Sequence, residues 1–137
     1  MSYLVTGATG FIGTNIVEQL AGRSETVVAL SNTDPSERQR QLAETGAVTF
    51  VRGDVRDQTS LEALLLQHRV RRVIHAAVIT SNAERERKQA PLIVDVSLVG
   101  TAAAAAAAAN AGVERFVLGG SAGVFSAHDL PDGEIVD

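Results

Sequence analysis

Residues 6–13, Thr6-Gly7-Ala8-Thr9-Gly10-Phe11-Ile12-Gly13, decide how this chain folds. An apolar run, residues 3–5, precedes them, and an amphipathic stretch with apolar side chains at Ile16, Val17 and Leu20 follows. Apolar spacing of this kind predicts a buried strand before the glycines and a helix after them. The chain is therefore expected to begin with a strand, a glycine-rich turn and a helix.

Each glycine in this turn has a separate role. Gly7 permits the sharp turn off the strand, Gly10 permits a ligand to approach the backbone, and Gly13 lets the helix lie close to the sheet. The free N–H groups of the first helical turn, near Phe11 and Ile12, would then face a diphosphate. We predict a dinucleotide phosphate site here, with a tight turn that binds no ligand as the alternative.

Short apolar runs alternate with amphipathic stretches along the rest of the chain. The sequence predicts strands at 3–6, 26–30, 48–51, 70–75 and 115–118, and helices at 11–21, 34–46, from residue 57 onward and at 91–111. Alternation with short connections implies right-handed crossovers and a parallel sheet. We therefore expect one α/β domain over residues 1–137.

Several residues are predicted to begin or end these helices. Asp34 is read as the N-cap of the second helix with Pro35 in its first turn, and Asp57 as the N-cap of the third. Gly112 would end the long helix, whose alanines at 102–109 favour close packing on the sheet or an engineered segment. The charged run 84–88 is most simply a solvated loop before that helix.

Composition bounds the partners of the chain. Its 137 residues are 45% hydrophobic and 20% charged with a net charge of −4, which gives no reason to expect nucleic acid or an anionic membrane. The apolar helix near residue 100 contains Asp95 and Asn110, so we expect no membrane span. With no cysteine and with His68 and His128 far apart in sequence, no metal site is expected. A strand at the N-terminus favours a cytoplasmic protein without a signal peptide.

The G-x-x-G-x-x-G spacing in residues 7–13 resembles the fingerprint of the extended short-chain dehydrogenase/reductases, in their NAD-dependent epimerase/dehydratase branch. The resemblance covers nearly the whole chain, which ends about midway through what the family normally contains. It implies a Rossmann-type doubly wound sheet with strand order 3-2-1-4-5. Ligands then bind at the carboxyl ends of the strands, where the order reverses.

The resemblance also implies which residues contact the cofactor. Gly7, Thr9, Gly10, Phe11, Ile12 and Gly13 form the phosphate loop, Ser31 and Asn32 face the adenosine ribose, Asp54 and Val55 hold the adenine, and Ala76, Ala77 and Ser97 lie toward the rest of the cofactor. Ser97 stands where the family usually has asparagine. His75 is interpreted as a core histidine rather than a catalytic base.

The residues after the second strand bear on the choice of cofactor. An acidic residue there accepts hydrogen bonds from the ribose hydroxyls of NAD and repels the 2′-phosphate of NADP. Ser31-Asn32-Thr33 has no carboxylate at the first position, which removes the main objection to NADP. Arg38 or Arg40 could reach a phosphate, although both are more simply solvated helix residues. The sequence leans slightly to NADP over NAD.

The catalytic residues of the family are only partly represented. Ser121 falls on the serine that contacts the reacting carbonyl or hydroxyl in the family. The family's acid/base is a tyrosine in a Y-x-x-x-K pair, whereas the chain contains one tyrosine, Tyr3, and one lysine, Lys88, which cannot form that pair. We therefore expect a NAD(P)-binding half of an epimerase, dehydratase or reductase that is inactive alone. The substrate of a full-length relative would be a nucleotide sugar or another small carbonyl or hydroxyl compound.

Two other functions remain open. One is a non-catalytic nucleotide-binding or redox-sensing module, and the other is a truncated or engineered scaffold. In the family that the chain resembles, the Y-x-x-x-K pair lies on the helix after the fifth strand, and this helix normally covers that side of the sheet. Apolar surface is therefore expected to be exposed there. We therefore hypothesise either a homo-oligomer or marginal stability.

Overall fold

The computed structural model describes residues 1–80 and 82–120, which contain five strands and five α-helices. The strands are β1 (Ser2–Thr6), β2 (Thr26–Ser31), β3 (Val48–Arg52), β4 (Arg72–His75) and β5 (Arg115–Leu118). The helices are α1 (Phe11–Ala21), α2 (Glu37–Glu44), α3 (Gln58–Gln67), α4 (Ala83–Val94) and α5 (Gly100–Asn110). A π-helical turn, Asp95–Val99, joins α4 to α5.

The five strands form one parallel sheet in the order β3-β2-β1-β4-β5, which confirms the predicted topology. β1 is central: its Val5 pairs with Ala29 of β2 on one side and with Ile74 of β4 on the other. Strands buried on both faces have nearly continuous apolar sequences, and 28–30 in β2 is such a run. The order of strands reverses beside β1, where a crevice is expected at the carboxyl ends.

Each face of the sheet carries its own apolar core. On one face, Leu4 and Val28 pack with residues of α3 and α5, including Leu61, Leu65 and Ala107. On the other face, sheet residues pack against α1 and the segment before β3; this second core contains Val5, Ala8, Val17, Leu20, Val27, Ala29 and Val48. The two cores make the three-layer arrangement of a doubly wound sheet.

The alanines of α5 allow close packing of that helix. Ala103, Ala104, Ala107 and Ala108 are buried, and the last three belong to the core that includes α3. Successive buried positions three and four residues apart place these small side chains on one helical face. Gly112, with a φ of 69°, then takes the chain out of the helix.

The α4–α5 segment, Ala83–Asn110, is long and apolar enough to cross a membrane by length and composition, with a mean hydropathy of 1.9 in an 18-residue window. The presence of Asp95 and Asn110 therefore does not exclude a span on composition. Part of this apolar composition is explained by packing, because alanines of α5 are buried in the core of the domain. That the protein has no membrane partner stays a prediction.

The predicted N-cap of α2 was wrong, because the helix begins after Ser36 rather than at Asp34. The Ser36 hydroxyl accepts a hydrogen bond from the Gln39 N–H, and the Gln39 side chain accepts one from the Ser36 N–H. This reciprocal capping box satisfies two N–H groups at the helix terminus. Asp34 lies 3.4 Å from Arg52 instead. Asp57 caps α3 as predicted, through the N–H of Ser60.

The predicted start of the long helix was also wrong. Residues 84–88, predicted to form a loop, lie in α4, which begins at Ala83. The Asn82 side chain accepts a hydrogen bond from the Arg85 N–H, and Lys88 pairs with Glu84 one turn away at 2.8 Å. Pro91 is accommodated because the backbone is non-helical at Gln89, with φ −136° and ψ 21°.

Apolar side chains are exposed at the β5 edge of the sheet. Val117 is 44% and Leu118 is 51% exposed. This surface agrees with the expectation that apolar residues are uncovered on that side. The homo-oligomer inferred from it stays a prediction.

Replacing Gly13 by alanine is expected to destabilise the fold severely. A Cβ at Gly13 would lie 2.1 Å from the Gly7 carbonyl oxygen, a backbone atom that cannot move without displacing the turn. We expect Gly13→Ala to lower the free energy of unfolding by about 3 kcal/mol in chemical denaturation.

Gly10→Ala is the matched control. Its Cβ would meet one atom, the same Gly7 oxygen, at 3.2 Å, so the expected change is about 0.5 kcal/mol. Equal stability of the two variants would contradict the close packing of α1 on this turn.

Candidate functional site

A cavity of about 360 Å³ opens at the carboxyl ends of the central strands. Segments that follow β1, β2, β3 and β4 contribute to its wall, together with two residues of the long helix. Its lining consists of Gly7, Thr9, Gly10, Ser31, Asn32, Thr33, Gly53, Asp54, Val55, Arg56, Ala76, Ala77, Val78, Ile79, Leu92 and Val96. The cavity thus occupies the place where the strand order reverses and where such sheets bind ligands.

The structure brings nine of the predicted site residues together in this lining: Gly7, Thr9, Gly10, Ser31, Asn32, Asp54, Val55, Ala76 and Ala77. The other predicted residues lie elsewhere. Phe11 and Ile12 begin α1 with their side chains exposed, Gly13 is buried beneath the turn, and Ser97 lies in the π-helical turn. The predicted catalytic residue Ser121 lies outside the described residues.

The turn after β1 is tightly packed and hydrogen-bonded. Gly7 has a φ of 64°, and a Cβ there would lie 2.8 Å from the backbone of Ala76, so glycine is required on both counts. The Gly10 N–H donates to the Gly7 carbonyl at 3.0 Å, and the Ala8 N–H donates to Leu30 of β2 at 3.1 Å. These bonds hold the turn against the neighbouring strand.

Gly10 differs from Gly7 and Gly13, because the fold does not require a glycine at position 10. Its φ of −74° and ψ of 169° suit any residue, and a Cβ would make one tight contact of 3.2 Å. The residue is exposed and lines the cavity. A missing side chain at this position leaves space for a ligand rather than for the protein itself.

The N-terminus of α1 supplies hydrogen-bond donors beside this space. The first N–H groups of a helix have no carbonyl partner within it. Gly10, the N-cap, has no side chain with which to satisfy them. Together with the helix dipole, these N–H groups favour an anion such as a phosphate.

Three hydroxyl groups meet where β2 ends. The Thr9 Oγ1 atom lies 2.6 Å from Ser31 Oγ and 2.7 Å from Thr33 Oγ1, and the last two atoms are 3.2 Å apart. Ser31 is 7% exposed, so it lies at the base of this cluster. The hydroxyl cluster formed by Thr9, Ser31 and Thr33 can both donate and accept hydrogen bonds, and it carries no charge.

A charged pair follows β3. The Arg56 Nε atom is 3.0 Å from both carboxylate oxygens of Asp54, and the Arg56 N–H donates to Oδ1 at 2.9 Å. Hydrogen bonds from the Arg56 side chain hold the pKa of the Asp54 carboxyl below its usual 3.8. Arg56 also lies 3.7 Å from Asp95 in the π-helical turn, so it links the segment after β3 to the long helix.

The wall after β4 is held by a second set of hydrogen bonds. The Thr6 hydroxyl oxygen lies 3.2 Å from the Ala76 nitrogen and 3.3 Å from the Ala77 nitrogen, both of which donate to it. The Ile79 N–H donates to the Ser97 hydroxyl at 3.5 Å. Ser97 therefore supports the cavity wall from behind, and His75, just before this wall, is fully buried.

Sequence reasoning missed seven residues of the lining: Thr33, Gly53, Arg56, Val78, Ile79, Leu92 and Val96. Thr33, Gly53, Arg56 and Val78 lie in the same short motifs as predicted residues, and Ile79 directly follows the last of these motifs, so their position in the sequence pointed to them. Leu92 and Val96 carried no such signal, because their approach to the cavity depends on the bend and π-helical turn of the long helix.

The chain has clear relatives among known proteins. Residues 3–136 match the family model described as the NAD dependent epimerase/dehydratase family. The UDP-glucose 4-epimerase of Erwinia amylovora is 34% identical over 135 residues, which are 96% of this chain and 40% of that protein. The UDP-glucose 4-epimerase of Klebsiella pneumoniae is 34% identical over 131 residues, which are 91% of this chain and 92% of that sequence.

A solved structure shows the same architecture. The crystal structure of UDP-glucose-4-epimerase from Stenotrophomonas maltophila, with bound NAD and formylated UDP-arabinopyranose, is 29% identical with a TM-score of 0.81. The likeness covers 91% of this chain and 38% of that one, so the chain spans well under half of that epimerase. The dinucleotide in that structure is NAD, and the expected lean toward NADP finds no support there.

Removal of the Arg56 side chain is expected to raise the pKa of Asp54. In Arg56→Gln the guanidinium that stabilises the carboxylate is lost, so the pKa should return toward 3.8, as followed by NMR titration of the side-chain carboxyl carbon. A carboxyl whose pKa is lowered by folding contributes stability above pH 3.8 that is lost as the pH falls below it. The acid side of the stability profile should therefore become shallower in the variant.

Arg52→Gln is the control, since Arg52 pairs with Asp34 at 3.4 Å whereas hydrogen bonds from Arg56 lower the pKa of Asp54. An Asp54 pKa that is the same in wild type and Arg56→Gln would show that this ion pair does not form in solution.

Proposed function

Because the chain belongs to the NAD dependent epimerase/dehydratase family, we propose that its cavity binds NAD and that the whole protein acts on a nucleotide sugar by hydride transfer. Gly10 is the observation that carries the proposal of a bound dinucleotide. The fold does not require a glycine at this position, which lies between the cavity and the N-terminus of α1. The epimerase from Stenotrophomonas, which binds NAD and a UDP-sugar, supports the choice of ligands.

Different parts of the chain contact different parts of the cofactor. The diphosphate lies at Gly10 and the N–H groups of Phe11 and Ile12. Asp54 accepts a hydrogen bond from the adenine amino group, beside the backbone of Val55. Ala76 and Ala77 present a small-residue wall to the ribose toward the nicotinamide. When bound, the nicotinamide supplies the hydride acceptor or donor for the reaction.

The charge around the hydroxyl cluster favours NAD over NADP. Three arginines near this end of the cavity each lie beside a carboxylate: Arg52 beside Asp34, Arg56 beside Asp54, and Arg38 beside Glu18. Their charges are therefore partly neutralised. The neutral hydroxyls of Thr9, Ser31 and Thr33 can exchange hydrogen bonds with the ribose 2′-hydroxyl of NAD. A 2′-phosphate would instead need a cation that is free to bind it.

Chemistry at the sugar requires more than the cavity supplies. In the described part of the chain Tyr3 lies in β1, and Lys88 pairs with Glu84 in α4. Neither can serve as the family's Y-x-x-x-K acid/base pair, and the sequence has no other tyrosine or lysine. We therefore propose that these 137 residues bind the cofactor without turning over substrate. Ser121 keeps its proposed contact with the reacting group.

Binding of NADH is expected to depend on the absence of a side chain at Gly10. Titration followed by nicotinamide fluorescence should show saturable binding to the wild type. We expect Gly10→Ala to weaken it by at least about tenfold, because the methyl group occupies the approach of the diphosphate. Gly10→Glu should abolish binding, since its carboxylate would repel the diphosphate.

The matched control is Gly22→Ala at the other end of α1, where a Cβ would make a similar contact of 3.3 Å. It should bind NADH like the wild type. Unchanged binding in Gly10→Ala would refute the phosphate loop, and failure of the wild type to bind NADH at all would favour a scaffold without cofactor.

A carboxylate in the hydroxyl cluster is expected to sharpen the choice of cofactor. In Ser31→Asp the new carboxylate can accept from the ribose hydroxyls of NADH and repels the 2′-phosphate of NADPH. The ratio of the NADPH to the NADH dissociation constant should rise by about tenfold or more.

Ser36→Asp is the control for charge, because it adds the same charge at a residue outside the lining of the cavity. Aspartate can also cap α2 in place of Ser36. If Ser31→Asp binds NADPH as tightly as the wild type does, the adenosine ribose does not lie at Ser31.

A further inference from the structure

His75 lies fully buried at the end of β4, directly before the cavity-wall residues Ala76 and Ala77. Its Nδ1 atom is 2.9 Å from the Thr6 hydroxyl oxygen in β1. Its Nε2 atom is 3.1 Å from the Thr101 hydroxyl oxygen in α5. One imidazole therefore joins the central strand of the sheet to the helix that packs against it.

The Thr101 hydroxyl determines which nitrogen of His75 carries the proton. Thr101 Oγ1 lies 2.7 Å from the carbonyl oxygen of Ser97, which can only accept, so the single hydroxyl proton of Thr101 points there. Toward His75 the same oxygen can then only accept. The Nε2 atom of His75 must therefore be the donor.

The Thr6 hydroxyl completes the arrangement on the other side of the ring. In a neutral imidazole protonated at Nε2, Nδ1 is an acceptor and receives the Thr6 proton. The lone pairs of the Thr6 oxygen are then free for the N–H groups of Ala76 at 3.2 Å and Ala77 at 3.3 Å. Every donor in the network has an acceptor, and the direction of each hydrogen bond is defined.

We propose that His75, neutral and protonated at Nε2, is a positioning residue that orients the cofactor wall at Ala76 and Ala77 through the Thr6 hydroxyl and is itself oriented by Thr101. The proposal rests on the proposed function only in naming the cofactor as the molecule that lies against this wall. The network acts on both ends of the wall. The Ser97 carbonyl accepts the Thr101 proton, and the Ser97 hydroxyl accepts a hydrogen bond from the Ile79 N–H at 3.5 Å.

A positively charged His75 would break this arrangement. A proton on Nδ1 would turn the acceptor of the Thr6 proton into a third N–H donor aimed at the Thr6 oxygen. Within residues 1–80 and 82–120, the groups that contact the ring are uncharged: Thr6 from β1, Thr101 from α5 and the Phe116 ring from β5, whose centroid is 5.9 Å away. Burial among them lowers the pKa of His75 below its ordinary 6.5, so the neutral form is kept at neutral pH.

The proton arrangement can be read directly from the wild-type protein. Long-range ¹H–¹⁵N spectra of histidine-labelled protein distinguish the two neutral tautomers and the charged ring, and His75→Gln assigns the signals. We expect the Nε2-protonated neutral pattern for His75, persisting as the pH is lowered through 6.5. An Nδ1-protonated ring, or full titration of His75 at 6.5, would overturn the proposal.

The positioning role is tested by removing and restoring the Thr6 hydroxyl. Thr6→Val keeps the shape of the side chain but loses both the donor to Nδ1 and the acceptor for the two N–H groups. We expect it to weaken NADH binding by about tenfold and to shift the Nδ1 resonance. Thr6→Ser, which keeps the hydroxyl, should restore both toward wild type. Thr49→Val, an exposed threonine on β3, is the control and should change neither.

The outcomes separate the two proposals. If the wild type binds NADH and a folded Thr6→Val binds it equally well, the positioning role is overturned while the proposed function stands. If Thr6→Val does not fold, Thr101→Val takes its place, because it removes the acceptor of the Nε2 proton and should weaken NADH binding in the same direction. A wild type that binds no NADH would overturn both the proposed function and the positioning role, whatever the tautomer.

Discussion

The close approach of α1 to the end of β1 is the constraint on which the rest of the structure depends. It is possible only because Gly13 has no side chain, since a Cβ there would lie 2.1 Å from the Gly7 carbonyl oxygen. A Cβ on Gly7 would lie 2.8 Å from the backbone of Ala76, so the same turn also limits the position of the β4 end. β1 is the central strand. Gly7 thus lets the ends of β1 and β4 lie side by side at the cavity, and Gly13 lets α1 lie against the same turn.

The cavity combines backbone hydrogen-bond donors with side chains of nearly balanced charge. Where α1 begins, backbone N–H groups and the helix dipole favour an anion without a cationic side chain. Where β2 ends, Thr9, Ser31 and Thr33 place neutral hydroxyls in the region where dinucleotide-binding sheets carry an acidic residue. Arg56 lies beside Asp54, so the positive charge in this part of the lining is partly neutralised.

The long helical segment shows how packing overrides local sequence signals. Pro91 and the charged run before it suggested that the helix starts at residue 91. Asn82 instead caps a helix that begins at Ala83, and non-helical backbone at Gln89 absorbs the proline. Farther along, a Cβ on Gly100 would lie 2.7 Å from the Val55 side chain, so this glycine lets the helix pack against the segment after β3. The π-helical turn between these points brings Val96 to the cavity wall.

The sequence by itself determined the α/β class and most of its helices and strands, and its resemblance to a known family implied the strand order and most of the residues that line the cavity. The helices and strands are encoded locally, because apolar periodicity, glycine spacing and caps such as Asp57 act within a few residues. Only the tertiary structure decided the hydroxyl cluster, the pairing of Arg56 with Asp54 and Asp95, and the tautomer of His75. Each joins side chains on different strands or helices, or depends on the rotamers that packing selects. Their geometry follows from strand register and helix packing, which no single stretch of sequence specifies.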